Sequence, residues 1–173
     1  MKKILHLLLL PIVLATSCKK DGLTKETQTG ANTFSCKVNG KVFIPCEFFG
    51  NKPINVGYNI NNSKVDLMAE CILQDPMKYV SIELNNFHGV GEYTLSDSNN
   101  ICKYEEVYSS NAYPGALTGN TYTSNLTRNG KVIITKDDRI NFILSGTFEF
   151  TAANTHNISD NVTVSSGRFD VKF

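Results

Sequence analysis

The stretch FSCKVNGKVFIP, Phe34 to Pro45, sets two short alternating runs on either side of Asn39-Gly40. Asn-Gly supplies the two positive-φ positions of a type I′ turn, the tightest link between antiparallel strands. A two-residue loop there places Cys36 opposite Phe43. The rest of the chain repeats this rhythm of short runs and breaks. Val65–Leu73, Tyr79–Leu84 and Glu92–Leu95 are each bounded by clusters of Asn, Asp, Pro or Gly, as strands usually are. A second Asn-Gly pair, Asn129-Gly130, separates Tyr122–Arg128 from Lys131–Lys136 and is expected to form another hairpin. Lys136–Arg139 reads as a turn leading into a strand over Ile140–Thr151. Only Val65–Leu73 could pass for a short helix, and it is too brief for periodicity to separate it from a buried strand. The expected fold is an all-β antiparallel domain, a β-sandwich or barrel-like sheet of roughly 8–10 strands.

Two segments echo one another, SGTFEF at Ser145–Phe150 and SGRFDV at Ser166–Val171. Each carries Ser-Gly, a variable residue, Phe and an acid, so the echo could present Glu149 and Asp170 for acid–base chemistry or only shape two strands. In Ile140–Phe150 the apolar residues fall on even positions, and side chains alternate faces along a strand. Glu149 therefore points away from the core. In the second copy Val162 and Val164 are even, whereas Phe169, Val171 and Phe173 are odd. That change of parity across Ser166-Gly167 predicts a β-bulge. Asp170 lies opposite the phenylalanine face, so both acids are expected to face solvent.

At the N-terminus, Met1-Lys2-Lys3 precedes the apolar run Ile4–Leu14, too short for a spanning helix, which needs roughly 20 residues. With the small residues that follow, it reads as a secretory signal peptide over residues 1–17. Ala15-Thr16-Ser17-Cys18 fits a bacterial lipobox, cleaved before a lipidated Cys18, although Ala15 stands where Leu is more usual; an ordinary signal-peptidase site also fits. The five cysteines favour the lipobox. Lipidation of Cys18 accounts for the odd one and leaves Cys36, Cys46, Cys71 and Cys102 for two disulfides in an oxidising compartment, with the pairing open. Residues 18–32 are polar and aperiodic and read as a flexible tether. Residues 33–173 then form one β domain. Loss of Lys2 and Lys3 takes the formal net charge from +1 to about −1, which argues against a nucleic-acid partner.

The chain has no G-x-S-x-G, H-E-x-x-H, C-x-x-C, P-loop or dinucleotide fingerprint. His88 and His156 lack a carboxylate pattern around them, and Asp97-Ser98-Asn99-Asn100 lacks EF-hand spacing. No cofactor and no metal site is therefore expected. The most suggestive stretch is Glu105–Tyr122, read as a long loop that presents Tyr108, Tyr113 and Tyr122 among Ser, Asn and Gly. Tyrosine offers a stacking face and a hydroxyl, and long loops often carry recognition. These three tyrosines are the candidate ligand contacts.

The signal exit TSCKKD, the hairpin FSCKVNGKVFIP, the segment GVGEYTL, and the close GKVIITKDDRINFILSGTFEFTA with VTVSSGRFDVKF together resemble a family of uncharacterised Bacteroidota lipoproteins, the domain-of-unknown-function family numbered 6252. The resemblance implies an antiparallel β domain tethered to the outer membrane and supplies no catalytic residues. The expected function is that of an outer-membrane-anchored lipoprotein, a binding or envelope-structural module and not an enzyme, with a glycan or envelope protein as partner. The alternative is a secreted hydrolase whose carboxylate-based site draws on Glu149, Asp170, Asp137 or His88.

Overall fold

The computed structural model describes residues 21–47, 49–95, 99–109, 117–127 and 129–173. The expected signal peptide, Cys18, Asp97 and Tyr113 lie outside these. Among the described residues the chain is all-β. Its strands are β1 (Thr33–Val38), β2 (Lys41–Phe43), β3 (Ile54–Asn59), β4 (Lys64–Cys71), β5 (Met77–Leu84), β6 (Gly91–Thr94), β7 (Asn100–Ser109) and β8 (Leu117–Thr123). After the single helical turn α1 (Ser124–Thr127) come β9 (Asn129–Asp138), β10 (Ile143–Asn154) and β11 (Asn161–Lys172). They form one antiparallel sheet in the order β2-β1-β11-β10-β8-β7-β5-β4-β3, with β9 also on β10 and β6 on β9.

The sheet curls into a half-barrel, and side-chain contacts draw its two flanks together. At one end Cys46, just after β2, is disulfide-bonded to Cys71 at the end of β4. At the other, Tyr58 of β3 stacks on Phe173 with ring centroids 4.1 Å apart, and its hydroxyl donates to Asp137 of β9 at 2.9 Å. The concave face holds one core in which Phe34, Leu67, Ile82, Leu84, Ile134, Leu144 and Val164 are almost wholly buried.

The first hairpin forms as its sequence dictates: Asn39 and Gly40 take φ of 47° and 79°, and Cys36 lies opposite Phe43. The bulge also lies where the parity changes. Ser166 has φ 52°, and the register of β11 shifts against both β1 and β10 around it. The echoed segments turn out to be partners. Gly146 sits opposite Phe169, and Gly167 sits opposite Phe148, so each glycine lies under the other copy's ring. A Cβ on Gly167 would come within 2.5 Å of Phe148, and one on Gly146 within 2.8 Å of Phe169. Ring over glycine in a strand pair compensates the side chain that glycine lacks.

Three expectations about local structure are corrected. Asn129-Gly130 is no hairpin: both residues belong to β9, and Gly130 opposes Phe150 across the ladder. A Cβ there would meet Glu149 O at 2.5 Å, so the glycine serves close backbone approach and not a turn. The turn before β10 lies at residues 139–142, which leaves Ile140 87% and Phe142 56% exposed where core positions were expected. Glu105–Tyr122 is no long loop, because β7 and β8 pair directly from Lys103↔Thr123 to Ser109↔Leu117.

The largest difference concerns the tether. Residues 21–32 are docked on the outer face of β1, β11 and β10. Leu23 is buried. Thr24 N donates to Ser35 Oγ at 3.0 Å, and Arg168 donates to Thr24 O and to Asp21 Oδ2, each at 2.9 Å. Asp170 does face away from the phenylalanines, as its register requires, but the strap covers it and leaves it 1% exposed. The expectation of a solvent-facing acid therefore fails.

Candidate functional site

Along the concave face, cross-strand rows change character from one end to the other. The row Leu67–Ile82–Cys102 is apolar and buried. The next row outward, Ala69–Val80–Tyr104–Tyr122–Asn154, introduces two phenols and an amide. The row at the rim, Cys71–Lys78–Glu106–Asn120, is polar apart from its disulfide. Because alternate residues share a face, this gradient places a base, an acid and two tyrosines at one mouth of the half-barrel. A cavity of ≈ 330 Å³ opens there, with Lys41, Phe43, Ile44, Gln74 and Asp160 on its further walls.

The polar groups in it are tied together. Tyr104 donates to Glu106 Oε1 at 2.7 Å and Tyr108 to Glu106 Oε2 at 3.1 Å, so both carboxylate oxygens hold a phenol. Tyr122 donates to Asp160 Oδ2 at 2.9 Å, and Asn154 Nδ2 reaches the same oxygen at 3.1 Å. Burial pushes the Tyr104 hydroxyl well up, and the bond to Glu106 pushes it further. Tyr122 shifts the same way, through burial and then its bond to Asp160. Both phenols therefore stay protonated donors at neutral pH. The pocket presents carboxylate acceptors and the lysines Lys41 and Lys78 to a visitor, over the buried phenols of Tyr104 and Tyr122. That is a set for binding hydroxyl and amide groups.

Of the candidate tyrosines, Tyr122 lines this cavity, and Tyr108 is exposed beside it on the other oxygen of Glu106. The sequence reading missed Tyr104, Glu106, Lys78 and Asp160. Tyr104 and Glu106 were signalled only as alternation within Asn100–Ser109, which needs the strand register to align it with Lys78 and Asn120.

The cysteines divide unequally. Cys46 pairs with Cys71, which lies on the rim of the cavity. Cys36 and Cys102 are free thiols on β1 and β7, so the expectation of a second disulfide is corrected. Each packs in the apolar core, where burial pushes the Cys36 thiol up to about 12 and raises Cys102 as well.

The acids considered for hydrolysis do not converge. Glu149 is exposed and 3.9 Å from Lys131. Asp137, at the end opposite the cavity, receives Tyr58 and Arg139, and His88 rests against the Tyr93 ring at 4.7 Å. Asp170 accepts from Thr27 Oγ1 at 2.6 Å, Gly30 N at 2.8 Å, Thr29 N at 2.9 Å, Ala31 N at 3.1 Å and Ser145 Oγ at 2.8 Å. Burial alone would raise its carboxyl, but the bonds from Thr27, Thr29, Ala31 and Ser145 together outweigh burial and hold it well below the ordinary value. An acid filled with donors in this way locks structure and has no free oxygen for catalysis. Among the described residues, no group of three or more His, Cys, Asp or Glu is placed to hold a metal ion.

Fold and site together define an all-β half-barrel domain with a polar pocket at one mouth. The chain belongs to the family described as a domain of unknown function (DUF6252), whose model matches residues 74–171. No curated protein and no solved structure matches the chain. The matched span runs from before β5 to the penultimate residue of β11 and includes Lys78, Tyr104, Glu106, Tyr122 and Asp160. The strap and the first hairpin lie outside it.

Proposed function

We propose that the protein is an outer-membrane lipoprotein, anchored through Cys18, whose β domain binds a hydroxyl-rich envelope component such as a glycan or peptidoglycan fragment at the mouth of the half-barrel. The observation that carries the binding role is the pair of tyrosine–carboxylate contacts that line the mouth, Tyr104–Glu106 and Tyr122–Asp160. Each carboxylate lines the cavity and keeps a phenol in place, so these acceptors are preorganised before a ligand arrives. The anchoring rests on the sequence: a basic start, a short apolar run, a small-residue exit and one cysteine left over. Binding is favoured over the hydrolase alternative because the three acids do not converge: Glu149 sits by Lys131, Asp170 is filled by donors from the strap, and Asp137 is held by Tyr58 and Arg139.

The test is a screen of the domain beginning at Asp21 against glycan and peptidoglycan fragments, with titration of any hit. Tyr104→Phe combined with Tyr122→Phe removes both hydroxyls while keeping the rings. It should weaken binding by roughly tenfold, the effect of one to two net hydrogen bonds. Binding unchanged in that variant, or turnover of the fragment, would defeat the proposal.

A further inference from the structure

We infer that the docked strap acts as a short leash that holds the outer side of β1 and the free edge of β2 against the lipid surface. The inference rests on the lipidation of Cys18 proposed above and adds an orientation to it. Were residues 18–32 a free tether, the domain could stand off the membrane and tumble. Instead the chain is fixed from Asp21 onward, by Arg168 on Asp21 and Thr24, by Ser35 on Thr24, and by the ring of donors on Asp170. Only Lys19 and Lys20 lie between Cys18 and Asp21, and the three chain steps, fully extended, span at most ~11 Å. The acylated sulfur must therefore enter the bilayer within that reach of the point where the strap meets the sheet.

The surface at that point suits a lipid headgroup layer. Gly22 packs on Val42 of the edge strand β2, and Val42 and Ile44 are 44% and 47% exposed. Lys37 lies near enough to Asp21 to act on its charge, Lys41 is exposed on the same hairpin, and Lys19 and Lys20 follow the acylated residue in the chain. Exposed apolar side chains among lysines complement an anionic interface, and a second signal of this kind reinforces a lipid anchor. Ile44 also lines the pocket, so the mouth of the half-barrel opens beside the membrane.

The test uses full-length protein, lipidated in a host that processes it and reconstituted into vesicles of phosphatidylethanolamine and phosphatidylglycerol that carry a headgroup quencher. A fluorophore is placed by Ile44→Cys, and in a second sample by Ile140→Cys at the opposite end. The buried Cys36 and Cys102 thiols stay unlabelled in the native fold. Ile44 should be quenched more strongly than Ile140, and a long Gly-Ser insertion after Lys20 should abolish the difference while leaving the strap intact. Equal quenching at the two sites in protein of acylated mass overturns the orientation and leaves the anchoring standing. A difference that survives the insertion overturns the leash. A mass without acyl groups on Cys18 overturns both this inference and the anchoring.

Discussion

Replacing Asp170 with Asn isolates the interaction that holds the strap. The carboxylate accepts from Gly30 N and Ser145 Oγ through Oδ1, and from Thr27 Oγ1, Thr29 N and Ala31 N through Oδ2. An amide has one acceptor oxygen. Whichever way it turns, its NH2 group faces a backbone N–H that cannot accept. A hydrogen bond to a charged group contributes ~1.5–3 kcal/mol, and a buried donor left unpaired costs ~1–3 kcal/mol. Some of this is recovered because Ser145 can rotate and water can reach the loosened strap. The net cost should be about 3 kcal/mol, a fall of about 1.5 M in the urea midpoint for a domain of this size. Glu149→Gln, on the exposed acid of the sister segment, should stay within about 0.5 kcal/mol. Hydrogen exchange should rise at Thr29, Gly30 and Ala31 in Asp170→Asn.

The pH dependence gives a second readout. The Asp170 carboxyl lies below its ordinary 3.8 in the folded state, so its contribution is fully present above that value and is lost as pH falls below it toward the depressed folded value. Wild type should lose stability through that acid window, and Asp170→Asn should lack this part of the slope. An unchanged urea midpoint together with unchanged exchange at residues 29–31 would refute the reasoning.

Other outcomes follow from the packing. Alkylation of the unfolded, unreduced protein should label Cys36 and Cys102 but not Cys46 or Cys71, which intact mass would read. Replacing Cys46 and Cys71 together by Ser should cost about 3 kcal/mol, since the bond closes a loop with a sequence separation of 25; calorimetry checks this. Gly167→Ala drives a methyl into the Phe148 ring and should destabilise by ~1–3 kcal/mol, whereas Gly40→Ala meets open space and suffers only from its positive φ.

The sequence made visible whatever is written in turns and alternation. Asn39-Gly40 announced its hairpin, and the parity change across Ser166-Gly167 announced the bulge. The direction of Asp170 was legible too, but its burial was not. What covers it is Thr27–Ala31, a polar and aperiodic segment that docks mainly through backbone N–H groups, and these leave no mark on composition. Asn129-Gly130 misled because glycine serves two ends, positive φ in a turn and close backbone approach in a ladder, and only the register separates them. At the site, Tyr122 stood out as an aromatic residue among polar ones. Tyr104, Glu106 and Lys78 were hidden because what joins them to Tyr122 is lateral, across β5, β7 and β8, and no single strand displays it. The cysteine count suggested two bridges by parity, yet β1 and β7 use Cys36 and Cys102 as small apolar core residues.

The most direct measurement is chemical-shift mapping of the isotopically labelled domain, titrated with the glycan or peptidoglycan fragment that binds it best. The account predicts perturbations concentrated on Lys78, Tyr104, Glu106, Asn120, Tyr122 and Asp160, with the ligand recovered unchanged. Perturbations centred instead on Glu149, or on Asp137 and His88, with cleavage of the fragment, would contradict it.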